Sequence, residues 1–233
     1  MWCGSHWMDG DDVAVMFEPR ILNPDKVCLP PEAPAVDRRE DRLLGRQPLS
    51  AWPRVLAIDP GTHTGWAVIW FDPDQLFDVS KKSTRALVAW QAGMFLGDED
   101  GQVDSVRWLL KREDVGGEGL AVVVESFRVR SINMAWEFLS PARIGGAIRY
   151  MCRKGVRSHD GVVRQRIVHW QEPSEALGAG GVSDATLHLN HIYLAGADHP
   201  RDATRHAFVW MRKLRSPGRG EAFYDASHFV DPE

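Results

Sequence analysis

Three stretches of the chain place carboxylates where they are costly. Val55-Leu56-Ala57-Ile58 runs straight into Asp59 and the turn Pro60-Gly61, and Leu120-Ala121-Val122-Val123-Val124 runs into Glu125. Apolar runs of this kind read as buried strands. An acid at the end of a buried strand needs a partner charge, a bound cation or a phosphate-handling site. The third stretch is Asp198-His199-Pro200-Arg201-Asp202-Ala203-Thr204-Arg205-His206. Pro200 opens a helix there, with His199 at or just before its cap, and Asp202, Arg205 and His206 share one face at i, i+3 and i+4. If the strands carrying Asp59 and Glu125 are adjacent and parallel, both acids emerge at one edge of the sheet, where open α/β sheets place their sites. A polar helix face opposite two such acids suits Mg²⁺, which takes few carboxylates and completes its shell with water and phosphate oxygens. Asp202 is the ligand candidate on that face. His199 is open to a ligand or a non-ligand role, and His206 reads as a helix-surface residue or a phosphate contact.

The elements that must position these residues follow from periodicity. Strands are expected at 54–59 and 65–71, joined by the Pro-Gly turn as a hairpin, and a third at 86–94. Val103, Val106, Leu109 and Leu110 mark a helix over 102–112 that stops near Gly116-Gly117. The strand 120–125 follows. Ser140-Pro141 then reads as an N-cap with Pro at the first helical position, ahead of an apolar stripe of Ile144, Ala147, Ile148 and Met151 that ends at Gly155. A further strand is expected at 162–170 and helices at 183–194 and 200–214, the last with a stripe of Ala203, Ala207, Trp210 and Leu214. This order is that of an α/β domain with a mixed sheet, spanning 51–215. Residues 1–50 carry Pro24, Pro30, Pro31, Pro34 and Pro48 and the charged run 37–42, so they read as an irregular extension with a short helix near 37–44. Residues 216–233 read as a tail.

Composition narrows the class. With 44% hydrophobic and 26% charged residues in 233, the chain suits one soluble domain with appendages. No apolar run approaches the roughly 18–20 residues that span a bilayer, and the N-terminus lacks the pattern of a signal peptide. Cys3, Cys28 and Cys152 are scattered and odd in number, which fits neither a disulfide framework nor a metal knuckle and leads us to expect a cytoplasmic protein. The formal net charge of −4 conceals segregation: residues 126–170 hold nine Arg and Lys against two acids. Arg128, Arg130, Arg143, Arg149, Arg153 and Lys154 lie in that tract. It reads as a polyanion footprint or as a solvated basic helix face.

The three motifs together resemble a known family. Ala57-Ile58-Asp59-Pro60-Gly61 with Thr64-Gly65-Trp66 resembles the first catalytic strand of RuvC-type Holliday-junction resolvases. Val123-Val124-Glu125-Ser126-Phe127 is similar to their second motif, and His199-Pro200-Arg201-Asp202-Ala203 to their final helix. The continuation Thr204-Arg205-His206-Ala207 resembles the RuvC-like resolvases of actinobacterial phages. The resemblance spans 54–214 in motif order. It implies an RNase H-like fold, a mixed sheet of about five strands flanked by helices. It implies an endodeoxyribonuclease that hydrolyses phosphodiester bonds in branched DNA, the four-way junction of recombination and repair being the expected substrate. Two Mg²⁺ ions, or Mn²⁺, are implied: Asp59 would bridge them, Glu125 would hold one, and Asp202 with His199 the other. His199 could instead orient the attacking water.

Arg128, Arg130, Arg143, Arg149, Arg153, Lys154 and Arg205 would contact DNA phosphates, which sets affinity and register. Trp136 and Phe138 would stack on unpaired bases, or serve the core or a dimer interface. Two-fold junctions need two active sites, so a homodimer is expected, with helix 140–154 a candidate interface. No membrane and no nucleotide cofactor are expected. Two departures stand out: His199 replaces an Asp found in many members, and 171–182 contains Glu172 and Glu175 but no Lys or Arg. Two rival readings are a sugar-kinase or actin-like ATPase lobe, which needs a second Asp-x-Gly hairpin not found after Glu125, and a non-catalytic nucleic-acid-binding module on the same fold.

Overall fold

The computed structural model describes residues 5–7, 14–16, 20–23, 48–78, 80, 83–113, 119–127, 139–157, 161–178 and 181–215. The helix expected near 37–44, the stop at Gly116-Gly117, Arg128, Arg130, Trp136, Phe138 and the tail 216–233 lie outside them. Among the described residues, ten strands run in chain order as β1 (Ser5–Trp7), β2 (Ala14–Met16), β3 (Arg20–Ile21), β4 (Arg54–Asp59), β5 (Thr64–Phe71), β6 (Leu87–Phe95), β7 (Leu120–Glu125), β8 (Val156–Arg157), β9 (Val163–Arg164) and β10 (Val168–Gln171). The helices are α1 (Pro73–Phe77), α2 (Glu99–Glu113), α3 (Ser140–Lys154), α4 (Pro173–Leu177), α5 (Asp184–Leu189) and α6 (Asp198–Leu214). Among the described residues no helix is long and apolar enough to cross a membrane.

The main sheet has the order β1-β2-β6-β5-β4-β7-β10, with β3 also on β6. β4, β5 and β6 form an antiparallel meander, and β7 and β10 run parallel to β4. This is a mixed sheet flanked by helices, the fold class expected. It has eight strands rather than about five because β1, β2 and β3, from the stretch read as irregular, add to the β6 edge. Strands of two or three residues leave no periodicity to read, and backbone pairing defines them instead, β2 and β3 along β6 and β1 along β2.

Period-two alternation sorts the strands between two cores. Val55, Ala57, Ala67, Ile69 and Phe71 face α6, meeting Ala203, Ala207, Phe208, Trp210 and Leu214. Leu56, Ile58, Trp66, Val68 and Trp70 face the other way, meeting Val106, Leu109 and Leu110 of α2 and Ile144, Ile148 and Met151 of α3. All eight residues of β5 are buried as a result. This explains the near-continuous apolar runs of the sequence.

Three other expectations change in detail. The strand expected at 162–170 divides, because β9 pairs with β8 in a separate ribbon while the Arg166 amide donates to the Cys152 carbonyl at the end of α3 (2.8 Å). The helix expected over 183–194 ends at Leu189, and His191 follows with φ 59°. Ser140 is already helical, with Leu139 at the cap. The Ser140 side chain is hydrogen-bonded to Glu99 on α2, so it does not cap its own helix.

α6 lies unusually close to the sheet because small side chains line both surfaces. Ala57 pairs with Ala67 and Gly65 with Asp59 beneath it, and Ala203 and Ala207 face them one turn apart. A Cβ at Gly65 would stand 2.6 Å from His199 Cβ and closer still to the His199 carbonyl group. The indole of Trp90 donates to Thr204 Oγ1 (3.2 Å), and Thr204 donates to the Pro200 carbonyl (2.8 Å), which fixes the helix along its length. Gly65→Ala is therefore expected to destabilise the fold by about 3 kcal/mol or more through overpacking. Gly146→Ala in α3, where an added Cβ meets nothing within 4 Å, should stabilise by about 0.5–1 kcal/mol. Urea unfolding of the two variants measures both.

Candidate active site

Parallel pairing of β4 with β7 places Ile58 beside Val124. One residue further, Asp59 and Glu125 leave the same edge of the sheet together, which meets the condition that the sequence left open. Asp59 is 6% exposed. Its Oδ2 lies 2.8 Å from Nδ1 of His199, in the first turn of α6. A Cβ at Gly61 would stand 2.8 Å from His199 Cε1, so Gly61 makes room for the imidazole while Gly65 makes room for the His199 backbone. The hairpin turn is held from the other side. The buried Gln102 amide of α2 donates to the carbonyls of Thr62 (2.9 Å) and Gly97 (3.0 Å), and its oxygen accepts from Thr64 (2.7 Å).

Glu125 is held differently. Its Oε2 is 2.7 Å from Nε2 of His206, which is fully buried. Nδ1 of the same ring is 2.9 Å from the side-chain amide of Gln171 at the end of β10, the residue paired with Glu125 across the sheet. His206 is thus no helix-surface residue. It lies in the apolar stripe of α6 because it stands three residues after Ala203 and next to Ala207. That i, i+3 relation was the signal in the sequence, masked by the polarity of the residue. Gln171 and Gln102 carried no signal of their own.

The third acid has a partner too. Arg205, expected on DNA, is instead buried: its Nε donates to the Val182 carbonyl (3.1 Å), and its terminal nitrogens bind Asp202 and Asp184. A guanidinium so enclosed buttresses Asp202 and is not free to meet a phosphate. Arg143 is also engaged, through a bidentate pair with Glu99 as short as 2.5 Å that ties α3 to α2. Arg149, Arg153 and Lys154 stay exposed on α3, with Arg157 just beyond.

Electrostatics within the cluster are strained. The Asp59 carboxyl is pushed up to about 6, chiefly by burial. The hydrogen bond to His199 opposes that shift, and the charges of Glu125 and Asp202 add to it. His199 is raised from its ordinary value, first by its hydrogen bond to Asp59 and against the effect of burial. Among the described residues no group of three His, Cys, Asp or Glu side chains forms a ready-made metal cage. What the chain offers is a pair of oxygen donors, Asp59 and Glu125, at an edge with Asp202 and His199 beside it. That set fits a hard cation that keeps waters and phosphate oxygens, and does not fit a closed all-protein site.

No protein-family model and no curated protein matches the chain. Among solved structures, the chain matches two of Thermus thermophilus RuvC. One matches at TM-score 0.42 and 19% identity, over 76% of this chain and 99% of that one. A second, RuvC in complex with Holliday junction substrate, matches at TM-score 0.42 and 17% identity over the same shares. Identities this low leave the chemistry to be argued from this chain's own residues.

A carboxyl whose folded pKa exceeds its unfolded value binds its proton more tightly in the native state. Native stability then falls as pH rises from about 4 to about 6. Asp59→Asn removes that penalty. In chelator, at pH 8, the variant is expected to be the more stable by about 1–3 kcal/mol, an amount reduced by its weaker hold on His199. The gain should vanish below pH ~4, where the wild-type carboxyl is itself protonated. Thermal unfolding across pH measures it.

Proposed function

We propose that this chain is a metal-dependent endonuclease acting on branched DNA, with the four-way junction as its substrate. The observation that carries the reading is the pair of acids, Asp59 and Glu125, delivered to one sheet edge by adjacent parallel strands. Each is backed by a histidine from a single helix. Buried acids in mutual repulsion cost stability, and a site that takes up cations recovers that cost. Asp59 and Glu125 would hold Mg²⁺ or Mn²⁺, with Asp202 and His199 completing the set. Such ions, when bound, stabilise the attacking and leaving oxygens of a phosphodiester. His199, on Asp59, stands where it can hold or orient a water proton.

The exposed cations Arg149, Arg153 and Lys154 of α3 would neutralise DNA phosphates and set register without reading bases. A homodimer would supply the two active sites of a symmetric junction. The ATPase-lobe reading lacks support: the acids of this site are paired with histidines, and no second Asp-x-Gly hairpin follows Glu125. A pure binding module would gain nothing from buried carboxylates aimed at phosphate.

Two outcomes are expected. The protein should incise a synthetic four-way junction in Mg²⁺ or Mn²⁺ in preference to a matched linear duplex. Asp59→Asn and Glu125→Gln should lose about 10³-fold or more in rate, while junction binding in Ca²⁺ persists. Micromolar ATP binding by calorimetry with no cleavage would overturn the reading. Replacing Arg149, Arg153 and Lys154 with alanine should lower the slope of log affinity against log salt by about 2–3. Fluorescence anisotropy on junction DNA reads that slope.

A further inference from the structure

His206 has no place in the three-acid reading, yet the chain spends two buried polar side chains on it. His206 is fully buried and Gln171 is 1% exposed, while the carboxylate they serve, Glu125, is 21% exposed at its side chain. Burying an imidazole in an apolar stripe is costly unless both nitrogens find partners. Both do: Nε2 meets Glu125 Oε2 at 2.7 Å, and Nδ1 meets the Gln171 side-chain oxygen at 2.9 Å. A leucine would fill the space between Ala203, Ala207 and Trp210 without that cost. The arrangement is intelligible as a device for aiming a carboxylate.

The donors and acceptors fix the direction of the relay. A carboxylate only accepts, so Nε2 must carry a proton. The Gln171 oxygen faces Nδ1 as placed and accepts from it; with the amide turned over, its NH₂ donates to a bare Nδ1, and in both arrangements Nε2–H points at Glu125. As placed, the buried Gln171 Nε2 has no hydrogen-bond partner among the described residues, and turning the amide over would give it one in His206. Ladder pairing of Gln171 with Glu125, and the Ser126 amide donating to the Gln171 carbonyl (2.7 Å), fix the amide and the carboxylate on one rigid edge.

We infer that His206, oriented by Gln171, is a positioning residue for Glu125: it binds Oε2 through Nε2–H, fixes the carboxylate rotamer and leaves Oε1 for the cation. The inference rests on the nuclease reading for its consequence and on the Gln171–His206–Glu125 geometry for its existence. Outer hydrogen bonds of this type orient metal ligands, and their loss typically costs 10–100-fold in metal affinity or activity.

The test compares wild type with His206→Leu, His206→Gln and Gln171→Leu. Affinity for Mn²⁺ without DNA is read from the free-ion electron-spin signal, and kcat and KM are read separately on a four-way junction. His206→Leu is expected to weaken Mn²⁺ and lower kcat each by about 10–100-fold, with KM for the junction unchanged. His206→Gln places an N–H where Nε2 stood and should return both to within about threefold of wild type. Wild-type Mn²⁺ affinity in His206→Leu, or a His206→Gln no better than the leucine, would overturn the inference. Should the leucine variant fail to fold, ¹⁵N NMR of wild-type His206 decides: a protonated, slowly exchanging Nε2 supports the relay, and a bare Nε2 refutes it. Failure of the nuclease reading is seen separately, as a wild type that cuts no DNA while its Mn²⁺ affinity still depends on residue 206.

Discussion

One helix must lie close enough to the sheet to set a histidine against each of two strand-end acids, and the rest of the site follows from that closeness. His199 takes Asp59, His206 takes Glu125 and Arg205 takes Asp202, all from α6. The two histidines sit within two turns of helix, so a shift of α6 by even an ångström would loosen both strand-end contacts together, while the Arg205–Asp202 pair lies within the helix and moves with it. Gly65 and the facing alanines allow the approach, and the Trp90–Thr204 hydrogen bond pins it. The local chemistry of the site is therefore a property of packing several residues away from the acids.

The arrangement holds charge at a cost that the surrounding core offsets. Asp59 resists ionisation because burial and two neighbouring acids disfavour its charge, and the histidine relieves this only in part. Two apolar layers, one on each face of β4 and β5, hold the strand end in place despite that repulsion. Stability is lost locally at the candidate site and made up by packing elsewhere.

The strands and both strand-end acids were legible because a buried parallel strand leaves a continuous apolar run, and an acid at its end breaks the run conspicuously. The adjacency of β4 and β7 was legible only as a condition, since pairing between distant segments leaves no local mark. His206 was misread for a related reason: its buried position depends on which face of α6 meets the sheet, and polarity argued for solvent. Arg205 failed alike, because its partner Asp184 lies 21 residues away on α5. β1, β2 and β3 were invisible because strands of two or three residues carry no period, and the strands they pair with, β6 and β2, rather than their own sequence determine them.

The central claim is that Asp59 and Glu125 form a cation site open to substrate. The most direct test is an anomalous difference map from crystals grown with Mn²⁺. A peak bound by carboxylate oxygens of both residues, at about 2.1 Å as for a small octahedral cation, is the result this account predicts. Well-ordered crystals with saturating Mn²⁺ and no peak between these two side chains, or one that leaves Glu125 on His206 alone, would contradict it.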